Sequence, residues 1–162
     1  MIEYRQLATP AEAEEAARWI YQEWARFEPT QTWATCLGDV VKSLAPEVQV
    51  PRYFGAFEQG TLIGIASLVA SDLPTRRQLG PWLANVLVQP AFRGRGIGSA
   101  LVTCVTDYAA GFLDRIYLYT FDQTRLYEHL GWSVLETSRY VDRSITIMTR
   151  DFKPMLARVA MA

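Results

Sequence analysis

The sequence predicts an α+β domain in α/β/α layers: a mixed, twisted sheet of six or seven strands with helices on both faces. Three observations lead there. An apolar run from Trp82 to Val88 is followed by an arginine- and glycine-rich loop, a helical stripe and a second strand-like run, Ile116 to Thr120. That order is the strand–helix–strand unit whose strands lie parallel. Residues 52–58 with 61–70, and residues 132–136 with 144–150, are spaced to form two antiparallel hairpins.

Each element has a local reason. Ile2 to Leu7 alternates apolar and polar residues, as a half-buried first strand does. Thr9-Pro10-Ala11-Glu12 matches a capping box with proline in the first helical turn. The stripe Ala13, Ala16, Ala17, Ile20, Tyr21 and Trp24 then follows a 3.6-residue period. A second helix is predicted over 31–44, and Pro46 ends it. Residues 71–81 are rich in turn formers and are expected to be a mobile loop. The near-continuous apolar character of Trp82 to Val88 marks a central strand buried on both faces. After the glycine loop, Ile97, Leu101, Cys104, Val105 and Tyr108 form one stripe that Gly111 closes. Asp122 is placed to cap a short helix, with Phe121 and Leu126 as its hydrophobic staple and Gly131 as its end. Residues 1–150 read as a single domain and 151–162 as a loosely held tail.

The composition excludes several classes of function. The chain has 162 residues, half of them apolar, and a net charge of -1. It is long enough to bury a core and too apolar for a disordered segment. It has no charge excess for nucleic acid or an anionic membrane. Its basic residues are nearly all arginine, with lysine only at Lys42 and Lys153, which suits forked recognition of phosphate or carboxylate. Cys36 and Cys104 are far apart without metal-like spacing and read as two reduced thiols. The N-terminus lacks the layout of a signal peptide, and no apolar run approaches the ~20 residues that span a bilayer. The expectation is a soluble, cytoplasmic protein without a metal, nucleic-acid or membrane partner; a homodimer stays open.

The stretch Val86 to Ser99 carries the chemistry. Glycines let a ligand approach the backbone, and the first turn of the following helix offers unpaired N–H groups at the positive end of its dipole, so the loop is an anion cradle. A nucleotide P-loop needs lysine and a hydroxyl residue after its last glycine, whereas Ser99 and Ala100 follow Gly98. A dinucleotide fingerprint needs glycine or alanine where Ser99 or Leu101 stands.

What remains is Arg93-x-x-Gly96-x-Gly98, preceded by Val86-Leu87-Val88 and followed by an amphipathic helix. This pattern closely resembles the acetyl-CoA signature of the GNAT superfamily of N-acetyltransferases. The order of elements along almost the whole chain resembles that family too. The block Leu126-Tyr127-Glu128-His129-Leu130-Gly131-Trp132 is similar to its second signature.

The resemblance implies acetyl-CoA as acyl donor and a role for each matching residue. Arg93, Gly94, Arg95, Gly96, Ile97, Gly98 and Ser99 would hold the pyrophosphate. Val86, Leu87 and Val88 would pair their backbone with the pantetheine arm in a V between two splayed strands, and the Leu87 N–H would polarise the thioester carbonyl. Tyr127 matches the tyrosine beside the sulfur and would protonate the departing thiolate. Thr120 stands where the family often has an asparagine that contacts the arm or the start of the next helix. The strand glutamate that serves some members as general base has no counterpart, since no carboxylate lies between Trp82 and Val88. Asp72 is the leading candidate for a base, followed by Glu23 and Glu28, each weighed against an ordinary solvated carboxylate. Trp24, Phe27, Trp33 and Trp82 are candidate walls of the acceptor site. His129, the only histidine, reads as a structural residue near a helix C-terminus. The expected reaction is direct acetyl transfer to the primary amine of a small molecule. A protein or peptide acceptor, and a non-catalytic acyl-CoA sensor, are the alternatives.

Overall fold

The computed structural model describes residues 1–24, 27–28 and 30–152. Seven strands form one sheet in the order β1-β2-β3-β4-β5-β7-β6. All neighbours are antiparallel except β4 and β5. This is the mixed sheet expected, with the parallel pair where the strand–helix–strand unit requires it.

β1 (Ile2–Gln6) leads into α1 (Pro10–Trp24). The capping box forms as read: the Glu12 N–H donates to Thr9 Oγ1 at 3.2 Å, and Glu12 Oε1 accepts from the Ala8 and Thr9 N–H groups. Arg5 donates two more hydrogen bonds to the same carboxylate, which holds the Glu12 pKa down at about 2. Ala13, Ala16 and Ala17 are fully buried and bring α1 close to the sheet. α2 (Trp33–Lys42) starts at Thr32, whose side chain accepts the Thr35 N–H. Both helices cover one face, packing Ile20, Cys36 and Val40 against Leu7, Tyr53, Phe57 and Ile65.

β2 (Arg52–Glu58) and β3 (Thr61–Val69) are joined by Gln59 and Gly60, both at positive φ, the conformation that matches the twist of a two-residue hairpin. The stretch read as a mobile loop is anchored. Leu73 is 2% exposed among Trp82, Ile145 and Ile147, and Arg76 Nε meets Glu136 Oε1 at 2.5 Å. Residues 71–81 therefore form a strap across this end of the sheet.

β4 (Trp82–Val88) is central, and its first three residues are buried. Its last four are only half-buried, because the neighbouring strand diverges from them. α3 (Ile97–Ala110) lies on the face opposite α1 and α2. It packs Ile97, Leu101, Val102, Val105 and Ala109 against Phe54, Ile63, Leu68 and Leu83.

β5 (Arg115–Thr120) is followed by α4 (Thr124–His129). Here the expected cap is corrected. Gln123, not Asp122, is the N-cap residue, and Thr120 Oγ1 accepts the Gln123 N–H at 3.0 Å. The predicted staple is absent as well: Leu126 is 38% exposed, and Phe121 turns to Tyr119 and beneath the Arg143 guanidinium. β6 (Ser133–Tyr140) and β7 (Arg143–Asp151) are longer than predicted. Their turn, Val141-Asp142, has positive φ at both residues but no glycine to announce it. Asp151 pairs with Arg115 across β5; residues 153–162 of the expected tail lie outside the described residues. Both cysteines are free thiols. Among the described residues, no helix is long and apolar enough to cross a membrane.

Candidate active site

The site begins with a defect in β4. Ile65 pairs with Leu87, but Ser67 pairs with Ala84, so Asn85 and Val86 together oppose Ala66. This is a β-bulge. Asn85 takes the left-handed conformation, φ 58°, which asparagine tolerates better than the other residues of this strand. Its side chain fixes the bend: Asn85 Nδ2 donates to Ser67 Oγ at 3.1 Å, and Ser67 Oγ donates to the Ala84 carbonyl at 2.9 Å. Ser67 is 0% exposed.

β4 and β5 share a single pair, Trp82 with Tyr117. Beyond it they separate, and the edge of β4 from the bulge to Val88 lies open on that side. The Gln89 N–H donates to the Ile63 carbonyl at 2.9 Å. The alternation of an antiparallel ladder then turns the Leu87 N–H toward β3 as well, and leaves the backbone groups of Val86 and Val88 facing the cleft. The assignment of Leu87 as thioester-polarising donor is thus corrected: its N–H belongs to the pair with Ile65, and the bulge presents Val86. The Val88 carbonyl accepts a hydrogen bond from Arg93 Nε at 3.0 Å.

Gly94 and Gly96 both have positive φ, 78° and 76°, and a Cβ at either would project into open space. Gly96 is the N-cap of α3 and offers no capping side chain, so the first N–H groups of the helix point out of the fold without intrahelical partners. Ile97 is buried beneath them and fixes the helix start. Gly98 sits over Val86 and Val88, where an added Cβ would lie about 4 Å from their methyl groups. Arg95 Nη1 is held by Glu58 Oε2 at 3.1 Å. Ser99 is half-buried, and its carbonyl accepts from Thr103 Oγ1. The loop is an electropositive cradle at one end of the open β4 edge.

At the other end is a cavity of about 750 Å³. Its walls include Asn85, Val86 and Leu87 from β4, Tyr119 and Thr120 from β5, Tyr127 from α4, Asp72 from the strap, and Trp24, Phe27, Glu23 and Glu28 from the end of α1 and its connection to α2. Tyr127 lies edge-on to Trp132, ring centroids 6.2 Å apart. Burial pushes its phenol up to about 12, so it is protonated throughout the neutral range. Asp72 is pushed up to about 7, first by withdrawal of its carboxyl from water and second by the nearby Glu28 charge. Burial also raises the phenols of Tyr53 and Tyr119.

Two predicted acceptor contacts are not on this wall. Trp82 is 0% exposed; it begins β4 on the face covered by the strap, donates its indole N–H to the Leu79 carbonyl at 2.9 Å, and packs tilted against Tyr117 and edge-on to Tyr119. Trp33 is 37% exposed on the first turn of α2 and packs edge-on to Tyr21. Trp24 and Phe27 do line the cavity. Asn85 and Tyr119 were not singled out from the sequence; the signal for the first was a lone asparagine inside an apolar strand. Among the described residues no group of three His, Cys, Asp or Glu side chains is arranged to hold a metal ion.

Comparison with known proteins gives one family. A model described as the acetyltransferase (GNAT) family matches residues 8–132. A search of curated proteins finds no match. Among solved structures, an acetyltransferase of the GNAT family from Streptococcus pneumoniae is 16% identical, with a TM-score of 0.70 over 94% of this chain and 100% of that one. YncA from Salmonella typhimurium, solved with its cofactor acetyl-CoA, is 19% identical, with a TM-score of 0.69 over 94% of each chain. NAA60 from Arabidopsis thaliana, in complex with a bisubstrate analogue, is 16% identical, with a TM-score of 0.69 over 94% of this chain and 99% of that one. At these identities the likeness is one of fold.

Proposed function

The chain belongs to the GNAT acetyltransferase family, and on that premise we propose that it moves the acetyl group of acetyl-CoA to the primary amine of a small molecule, by direct attack in a complex that holds both. The cradle suits the donor. Gly94 and Gly96 leave open space above a helix N-terminus, Arg93 and Arg95 flank it, and the β4 edge runs from it to the cavity. Arg93, Gly94, Arg95, Gly96, Ile97, Gly98 and Ser99 hold the pyrophosphate, and the backbone of Val86 and Val88 aligns the arm. The bound donor supplies a thioester carbonyl for the amine to attack.

The rest is the work of side chains and one amide. The Val86 N–H stabilises the developing oxyanion. Asp72 accepts the proton that the acceptor nitrogen sheds as the N–C bond forms. Tyr127 Oη donates a proton to the sulfur as the C–S bond breaks, and exchange with solvent restores both groups. Thr120 braces the start of α4, and so Tyr127, through its bond to Gln123. The products are the N-acetylated amine and free CoA thiol.

One observation carries this reading. Asp72 and Tyr127, on different elements, line the same cavity beside the β4 edge; the first has a pKa near neutrality and the second stays protonated. Asp72 offers a base where the strand glutamate is missing, and so supports an enzyme over a non-catalytic sensor. A cavity of this volume, walled by Trp24 and Phe27, suits a small acceptor. The test is thiol release from acetyl-CoA with a panel of amines. Wild type is expected to turn over, and Tyr127→Phe to lose about a hundredfold in kcat, the lower range for a general acid. Absence of thiol release with every amine overturns the proposal; equal kcat in both proteins removes Tyr127 as the acid.

A further inference from the structure

The acceptor end of the cavity carries more negative charge than one reacting amine uses. Its described wall has carboxylates on α1, α2, the strap and the β5–α4 connection, but only two cations, Lys42 and Arg143. Neither pairs with Asp72 or Glu28. Lys42 acts on Asp39 within α2, and the Arg143 guanidinium lies 3.9 Å over the Phe121 ring. Asp72 and Glu28 are a different case. They approach from separate elements closely enough for one charge to disfavour the other, and no ion pair with a described cation neutralises either. Two neighbouring carboxylates in a cavity walled by Trp24, Phe27 and Tyr119 repel each other, and a cation bound between them removes that repulsion.

The chemistry divides their work. The nitrogen that attacks must be neutral, and Asp72 takes its proton, so the charge of Asp72 is consumed by the reaction. Glu28 takes no part in that transfer. We propose that Glu28 binds a second, non-reacting ammonium of the acceptor, and that the substrate class is therefore the aliphatic diamines, with the chain between the nitrogens lying against the aromatic wall. Trp24 and Phe27 suit that occupant, since aromatic faces favour both methylenes and the flanking cation. The positive cradle at Arg93 and Arg95 lies at the other end of the β4 edge, so the two ends of the site sort an anionic donor from a cationic acceptor. This inference rests on the reading of the chain as an amine acetyltransferase with Asp72 as base.

The test compares n-butylamine with 1,3-diaminopropane, 1,4-diaminobutane and 1,5-diaminopentane, by thiol release and by calorimetric binding without acetyl-CoA. The best diamine is expected to exceed n-butylamine in kcat/KM and in affinity by about tenfold or more, the scale of one hydrogen bond to a charged group. In Glu28→Gln that ratio should fall to about one, through KM. Asp72→Asn should lower kcat for both kinds of amine and keep a ratio above one. If n-butylamine matches every diamine in wild type, or Glu28→Gln weakens both kinds by the same factor, the diamine assignment is wrong while acetyl transfer stands. If no amine releases thiol, the underlying reading fails and this one with it. The wild-type comparison needs no variant to fold.

Discussion

Replacing Asp72 with asparagine should damage catalysis and strengthen the fold, and the gain should grow with pH. Asp72 has an ordinary pKa of 3.8 in the unfolded chain and about 7 in the folded one. Between these values the folded state binds the extra proton, so stability falls as pH rises from about 4 to about 7 and the full penalty is present above that. At 1.36 kcal/mol per pKa unit, the ionised carboxyl costs the folded state up to about 4 kcal/mol. Asparagine has nearly the same shape and does not ionise. The advantage of Asp72→Asn over wild type should grow by about 2 kcal/mol between about pH 5.5 and 8.5. For a chain of this size that is a relative shift of roughly 4–8 °C in Tm. Urea or thermal unfolding of both proteins at the two pH values measures it, and the other titrating groups cancel in the difference. A pH-independent difference, or a variant less stable than wild type at high pH, refutes the claim that burial of Asp72 sets its pKa. The same titration should appear in kcat/KM as an acidic limb near pH 7 that the variant lacks.

Two further changes address the donor side. Gly96→Ala places a methyl group in the cradle at φ 76°; acetyl-CoA affinity by calorimetry should weaken tenfold or more, with a loss of about 1–2 kcal/mol in stability from the left-handed backbone. Asn85→Val should lower kcat at least tenfold, because a β-branched residue resists φ 58° and disturbs the Val86 amide. Asn85→Gly keeps that backbone conformation and should retain more activity than Asn85→Val, as steady-state assays of the two will show.

The parts of the molecule legible from sequence are those set by contacts within a few residues. Thr9 and Glu12 specify a helix start between themselves, and Gly94 and Gly96 mark a backbone that most side chains would strain. Asp72 could be nominated because no other carboxylate lies nearer the central strand in sequence. Its elevated pKa could not be read, because that depends on Glu28, 44 positions away, and on the strap that Leu73 and Arg76 fasten down. The exchange of Leu87 for Val86 has the same origin. A bulge changes which amides face which neighbour, and this one is settled by Ser67 on the next strand. Trp33 and Trp82 show the limit of residue type alone: an aromatic ring serves a pocket or a core equally well until the register of its strand or helix is known. The cap at α4 was misplaced because Thr120, from inside β5, reaches forward to serve the Gln123 N–H that a local motif would assign to its neighbour.

The single β4–β5 pair has a mechanical consequence. Among the described residues every other seam of the sheet is a ladder of five or more antiparallel pairs, whereas this one is a single rung. The molecule is therefore two stiff plates, β1–β4 and β5–β7, joined along a line at Trp82 and Tyr117 and bridged by α3. Any molecule lying between the plates acts on that line with the lever arm of the whole cleft. Trp82, packed between Tyr117 and Tyr119 with its indole N–H tied to Leu79, lies on that line and anchors both plates to it.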